Sequence, residues 1–166
     1  MPLSMYQASV PVFARLLRNL HGILEKAQAH ALARGIDPQV LAASRLYPDM
    51  FPLTRQVQIA CDSARLAVAR LAGITAPSIP DTETTLPELV IRVDQTVAFI
   101  NTMVATQIDD SENREIVLNL PSGRVTLSGL DYLRFHALPN CYFHVTTTYN
   151  ILRHNGVELG KRDFLG

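Results

Sequence analysis

The sequence predicts an all-α protein, a four-helix bundle with a short extra helix and a small β-hairpin between helices 3 and 4. Three observations carry this. Four long stretches repeat apolar residues at helical spacing. Residues that start helices (Ser, Thr, Asp) precede these stretches, and glycines that stop them follow. One stretch alone, "REIVLNLPSGRVTLSG", alternates apolar and polar residues on both sides of a turn. At 166 residues the chain is long enough to bury one full core, so residues 1–166 are taken as one domain.

Ser4 and Gln7 form a capping-box pattern that opens the first helix. Val12, Leu16, Leu20, Ile23, Leu24 and Ala27 mark its apolar face, and Gly35 closes it. Pro11 is expected to bend this helix or delay its start. Asp37-Pro38 reads as the cap and first residue of a short helix, "DPQVLAASRL". The second long helix lies in "YPDMFPLTRQVQIACDSARLAVARLAG", with Pro52 near its start and Gly73 past its end. Leu53, Val57, Ala60, Ala64, Ala67 and Leu71 form its main stripe; Ile59, Ser63 and Leu66 form a weaker one on the far side. "ITAPSIPDTET" is a connector within the domain. Thr85 and Glu88 cap a third helix, "LPELVIRVDQTVAFINTMV". The hairpin is placed near residues 115 to 128. Ser128 and Asp131 then open the fourth helix, which Pro139 bends and which ends near Asn155-Gly156. The tail "VELGKRDFLG" reads as irregular.

Composition narrows the function. Lysine plus arginine and aspartate plus glutamate are 15 each, which gives no electrostatic reason to expect a nucleic-acid partner. No apolar run is long enough to span a bilayer, and the N-terminus lacks the pattern of a secretory leader, so a cytoplasmic protein is expected. Cys61 and Cys141 make no CxxC pair and read as small core residues. No nucleophile elbow, HExxH or phosphate loop is present.

"HALPNCYFHVTTTYNILRHNG" holds three of the five histidines. His136 and His144 are separated by roughly 12 Å of helical rise and His144 and His154 by roughly 15 Å, too far to share one ion. His144 falls on the inward face with Leu133, Ala137, Cys141, Thr148 and Leu152; His136 and His154 fall toward the flank. Asn140 lies one turn before His144. A buried histidine satisfied by hydrogen bonds is the plain alternative to a metal ligand. Gln58 and Asp62, four apart on the second helix, read as a solvated polar edge or as a pair facing a site; His21 is placed near the core and His30 outside it.

"FPLTRQVQIACDSA" and "ALPNCYFHVTTTYNILRHNGVELGKRDFLG" resemble a bacterial family of unknown function within the DinB/YfiT-like superfamily. The resemblance covers essentially the whole chain. It implies a DinB-like four-helix bundle, commonly a homodimer. Typical members of the superfamily hold a divalent metal, often zinc or nickel, on three histidines, and some transfer or isomerise with low-molecular-weight thiols. Placing "ILRHNGV" on the superfamily's matching segment puts one ligand position at His144, one at Asn140 and the third near Gln58.

Three functions follow. The first is a metal-free small-molecule-binding module with Gln58, Asn140 and His144 in one pocket inside the bundle. The second is a metal-dependent enzyme of the thiol transferase or isomerase type, with His144 as ligand or base. The third is a homodimeric interaction protein, its partner surface the stripe of Ile59, Ser63 and Leu66. Two amides and one imidazole suit zinc poorly, which ranks the metal-free pocket first.

Overall fold

The computed structural model describes residues 3–166. Helix α1 spans Met5–Arg34, α2 Pro38–Ala43, α3 Leu53–Ala72, α4 Leu86–Ile100 and α5 Ala105–Ile108. Strands β1, Glu115–Leu120, and β2, Gly123–Ser128, follow. The last bundle helix is built from α6, Gly129–Tyr132, a π-helical turn over Leu133–Ala137, and α7, Leu138–His154. A final short helix, α8, spans Lys161–Leu165.

Helix α3 packs against α7 on one side and α4 on the other, and α1 closes the bundle on α4. The core is continuous: Phe13, Leu17 and Leu24 of α1 join Val57, Ala64 and Leu71 of α3, Leu89 and Val93 of α4, and Val145 and Leu152 of α7. Cys61 and Cys141 are fully buried in it. The two strands are antiparallel, with Leu120 opposite Gly123 across a two-residue turn. Ile116 and Leu118, on one face of β1, are buried. Among the described residues, no helix is long and apolar enough to cross a membrane.

Local chemistry explains most of the boundaries. Ser4 and Gln7 make the reciprocal capping box at α1, and Thr85 and Glu88 make another at α4. Gly35 and Gly73 end α1 and α3 at φ 65 and 69, the left-handed conformation that closes helices. Asp109, in the acidic loop, accepts the Tyr6 N–H at 2.8 Å and satisfies one of the free donors at the start of α1.

Four expectations are corrected. Helix α1 does not start late: it begins at Met5 and runs through Pro11, because the capping box secures the turn before the proline. The short helix α2 ends at Ala43, where Ser44 turns extended. Helix α4 ends at Ile100, four residues before the end of the apolar pattern, and a separate short helix follows. The tail is ordered into α8: the Asp163 carboxylate accepts the Gly160 N–H at 2.8 Å, and Arg15, Asn19 and Lys26 of α1 hold the segment by its carbonyls and by Asp163.

Candidate functional site

The three residues singled out from the sequence stand on neighbouring turns of α3 and α7, but each has its own partner. His144 is buried, 7% exposed, and its Nδ1 lies 2.6 Å from Gln56 Oε1. Gln56 Nε2 donates to the Phe51 carbonyl at 3.1 Å, which fixes the amide with its oxygen toward the imidazole. His144 is therefore the donor at Nδ1, and its lone pair sits on Nε2. Burial, and secondarily the nearby Arg55 guanidinium, push its pKa down to about 4, so the ring is neutral at neutral pH. Asn140 Nδ2 donates to Ser63 Oγ at 2.7 Å. Gln58 is buried, donates to Glu83 at 3.0 Å and accepts from Arg55 at 3.3 Å.

A single pocket of Gln58, Asn140 and His144 therefore does not form, because each side chain's hydrogen bonds point it elsewhere. The residue that meets His144 is Gln56, half a turn before Gln58. Of the neighbouring threonines, Thr147 and Thr148 bond back to the carbonyls of Phe143 and His144. His21 is half-buried and bridges α1 to Asp94 of α4 at 2.8 Å; His30 is half-buried and His154 exposed.

Gln58 leads into a set of charges that pins the connector between α3 and α4. The Arg92 side chain is fully buried at the centre of the α4 face. It binds Asp62 at 2.9 Å, Asp81 at 2.9 Å and Glu83 at 3.0 Å, and donates to the Pro80 carbonyl at 3.1 Å. Arg65 joins at Asp62, 2.8 Å, and also holds the Pro77 carbonyl. Arg55 pairs with Asp81. Burial alone lowers the Arg92 pKa, but the hydrogen bond to Glu83 and the charge of Asp62 outweigh it and leave the guanidinium more firmly charged than usual. Three arginines face three carboxylates, so the set carries no net charge. Gln58, buried, and Asp62, half-buried, are the α3 side of this set around buried Arg92 rather than a solvated edge. The sequence carries one signal for it, the arginine of "ELVIRVDQTV", which interrupts a helical face otherwise fit for the core.

The concave feature beside these residues is a cleft of about 250 Å³ between α3, β1 and the start of the last bundle helix. Arg55, Asp62, Ser63 and Arg70 come to it from α3, and Asn119 from β1; Tyr132, His136 and Asn140 come from the last helix. Ile59, Leu66, Leu118 and Leu120 form the apolar wall. The stripe of Ile59, Ser63 and Leu66 expected to face a partner is half-buried here, because the hairpin lies over it. His136 was expected on the flank, yet it lines the cleft with Asn140. His136 and Asn140 are four residues apart, so they stand one turn from each other on the same side of the helix. Pro139 has no N–H to continue the α pattern, and the wider i→i+5 turn takes up an extra residue. The His136 ring stacks on Tyr132 with centroids 5.7 Å apart. Burial, then Arg70, lowers its pKa.

No group of three or more His, Cys, Asp or Glu side chains placed to hold a metal ion occurs among the described residues. Burial pushes the Cys61 thiol up to about 12 and the Cys141 thiol higher than its ordinary value, so neither is a ready thiolate.

Comparison with known proteins bears on this arrangement. Residues 5–165 match the family model described as Domain of unknown function (DUF1993). The chain belongs to the DUF1993 family. Among solved structures, it is similar to the crystal structure of a DinB family member protein from Shewanella denitrificans. The two are 44% identical over 97% of this chain and 91% of the other, with a TM-score of 0.89. The DinB-like bundle that the resemblance implied is therefore the fold of this DUF1993 protein. No curated protein matches it.

Proposed function

We propose that this DUF1993 protein is a metal-free small-molecule-binding module whose ligand occupies the cleft beneath the hairpin. The observation that carries the reading is the convergence there of polar groups from three separate elements, Arg70 and Ser63, Asn119, and His136 with Asn140, against one aliphatic wall. A concave site with a few convergent polar groups on apolar walls is the usual form of a ligand pocket. The positions that a metal would need support the metal-free reading. His144 keeps a lone pair on Nε2, but the other two positions are amides already engaged, Asn140 with Ser63 and Gln58 with Glu83 and Arg55. Neutral amides with these commitments do not fit zinc or nickel, which favour imidazole, thiolate and carboxylate.

The test is a fragment screen followed by amide NMR. Ligands are expected to shift resonances of residues 59–70 and 118–140, and Ser63→Phe, which fills the cleft, is expected to abolish the shifts while leaving the fold intact. Hits that instead map to His144, or a melting temperature that rises with zinc or nickel only while His144 is present, would return the site to the metalloenzyme reading.

One surface favours self-association as a second property. Phe135, Tyr142 and Phe143 are exposed on the last bundle helix, 66%, 39% and 55% respectively, and recur at helical spacing. A second copy covering this stripe would give a homodimer, and Phe143→Glu is then expected to yield the monomer mass in sedimentation equilibrium. A wild-type protein that is monomeric at micromolar concentration excludes it.

A further inference from the structure

Of the two arginines that line the cleft, Arg55 and Arg70, Arg70 is the one with no carboxylate partner among the described residues. Arg55, Arg65 and Arg92 are answered by Asp62, Asp81 and Glu83. Arg70 also lines the cleft and is half-buried, but among the described residues no acidic side chain pairs with it. Its one hydrogen bond is from Nη1 to the Tyr132 hydroxyl oxygen at 2.9 Å, and its guanidinium carbon lies 5.5 Å from the centroid of that ring. A basic residue in the last turn of a helix is ordinary. Here, however, the side chain turns onto a tyrosine that is itself only 1% exposed, which anchors the guanidinium against the cleft.

The charge count of the cleft follows. Asp62 is neutralised by Arg65 and Arg92, and Arg55 by Asp81. The remaining charge is that of Arg70, one positive unit. A guanidinium has five N–H groups in a planar fork, and one of its nitrogens is engaged with Tyr132. The fork matches a carboxylate in geometry as well as charge. The neighbouring groups do not compete for that role. His136 is held toward its neutral form, and Asn140 donates to Ser63, which leaves its carbonyl to accept. The wall is aliphatic, and about 250 Å³ is at or below the small end of ligand sites.

We propose that the ligand of this cleft is a small monocarboxylate, its carboxylate held by Arg70 and its apolar body laid against Ile59, Leu66, Leu118 and Leu120. This rests on the cleft being the ligand site, and the experiment separates the two claims. The probes are hexanoate and benzoate, each titrated beside its uncharged amide, hexanamide and benzamide, with binding followed by amide NMR and calorimetry. The acids are expected to shift the cleft resonances saturably and to bind about tenfold or more tightly than the amides, a difference of about 1.4 kcal/mol. In Arg70→Gln the acids should lose that advantage. The acid–amide comparison on wild-type protein decides the matter even where the variant folds poorly. Amides that bind in the cleft as well as the acids overturn the carboxylate proposal and leave the cleft standing. An acid preference that survives in a folded Arg70→Gln overturns the role of Arg70. Failure of all four probes to bind in the cleft overturns the monocarboxylate proposal, and the fragment screen then decides the cleft itself.

Discussion

His144 shows how one side chain can be polar, buried and still uncharged. Its ring is neutral because burial disfavours the imidazolium, and Gln56 fixes which nitrogen carries the proton. Its lowered pKa has a sign. Between the folded value of about 4 and the ordinary 6.5, the unfolded chain binds a proton that the native state refuses. Stability therefore rises with pH through that window, and it is lost as pH falls from about 6.5 toward 4. Wild type is expected to lose about 2 kcal/mol more than His144→Gln between pH 7 and pH 5, read from urea midpoints at each pH. Equal losses in the two proteins would mean that the imidazole is charged or solvated. The same residue marks how far the sequence could be followed. Helical spacing placed His144 inward and Asn140 one turn away, and both stand there. It could not show which way either side chain turns, since Gln56 and Ser63 are brought to them by another part of the chain.

Among the elements, the connector from Gly73 to Thr85 and the junction into α6 are held by contacts that no local pattern announces. Arg92 carries three carboxylates from α3 and the connector, so its removal leaves Asp62, Asp81 and Glu83 crowded without their common cation. Breaking a buried ion pair by deleting one partner costs about 3–5 kcal/mol. Arg92→Met is expected to fall in that range in urea denaturation, and Arg55→Met, at a half-exposed pair, below about 1 kcal/mol. Similar losses in both would show that the charges act as one exposed cluster. Gly129 makes a second case. In a helix, alanine is ordinarily better than glycine by about 0.5–1 kcal/mol. Here a Cβ at Gly129 would lie 2.0 Å from the Ser111 carbonyl oxygen, and backbone cannot move aside cheaply. Gly129→Ala is therefore expected to lower the melting temperature; an unchanged or higher one would mean that the loop at Ser111 gives way. Caps, glycine stops and the hairpin were legible because they depend on residues close in sequence. The π turn, α8 and the Arg92 set were not, because each is settled by a neighbour far along the chain or by a proline whose consequence depends on what packs around it.

At the scale of the molecule, the hairpin between α5 and α6 is part of the core. Ile116 and Leu118 of β1 join the same buried cluster as α1, α3, α4 and α7, and so do Val157 and Leu159 after α7. A two-stranded hairpin is marginal in water by itself, so its order comes from this packing. The cleft depends on it too, since Leu118, Asn119 and Leu120 close one side. If the bundle and hairpin share one core, they unfold together. The chain has no tryptophan, and Tyr132, 1% exposed between the cleft and the core, is a natural tertiary reporter. Far-ultraviolet circular dichroism for the helices and near-ultraviolet tyrosine signals are expected to give coincident urea transitions. Leu118→Ala, which cuts the hairpin's anchor, should shift both transitions together by about 2–5 kcal/mol in stability. A tyrosine transition that moves well ahead of the helical one would show that the hairpin and cleft open while the bundle stays folded. The ligand site would then be a separately mobile part of the molecule, no longer built into its rigid core.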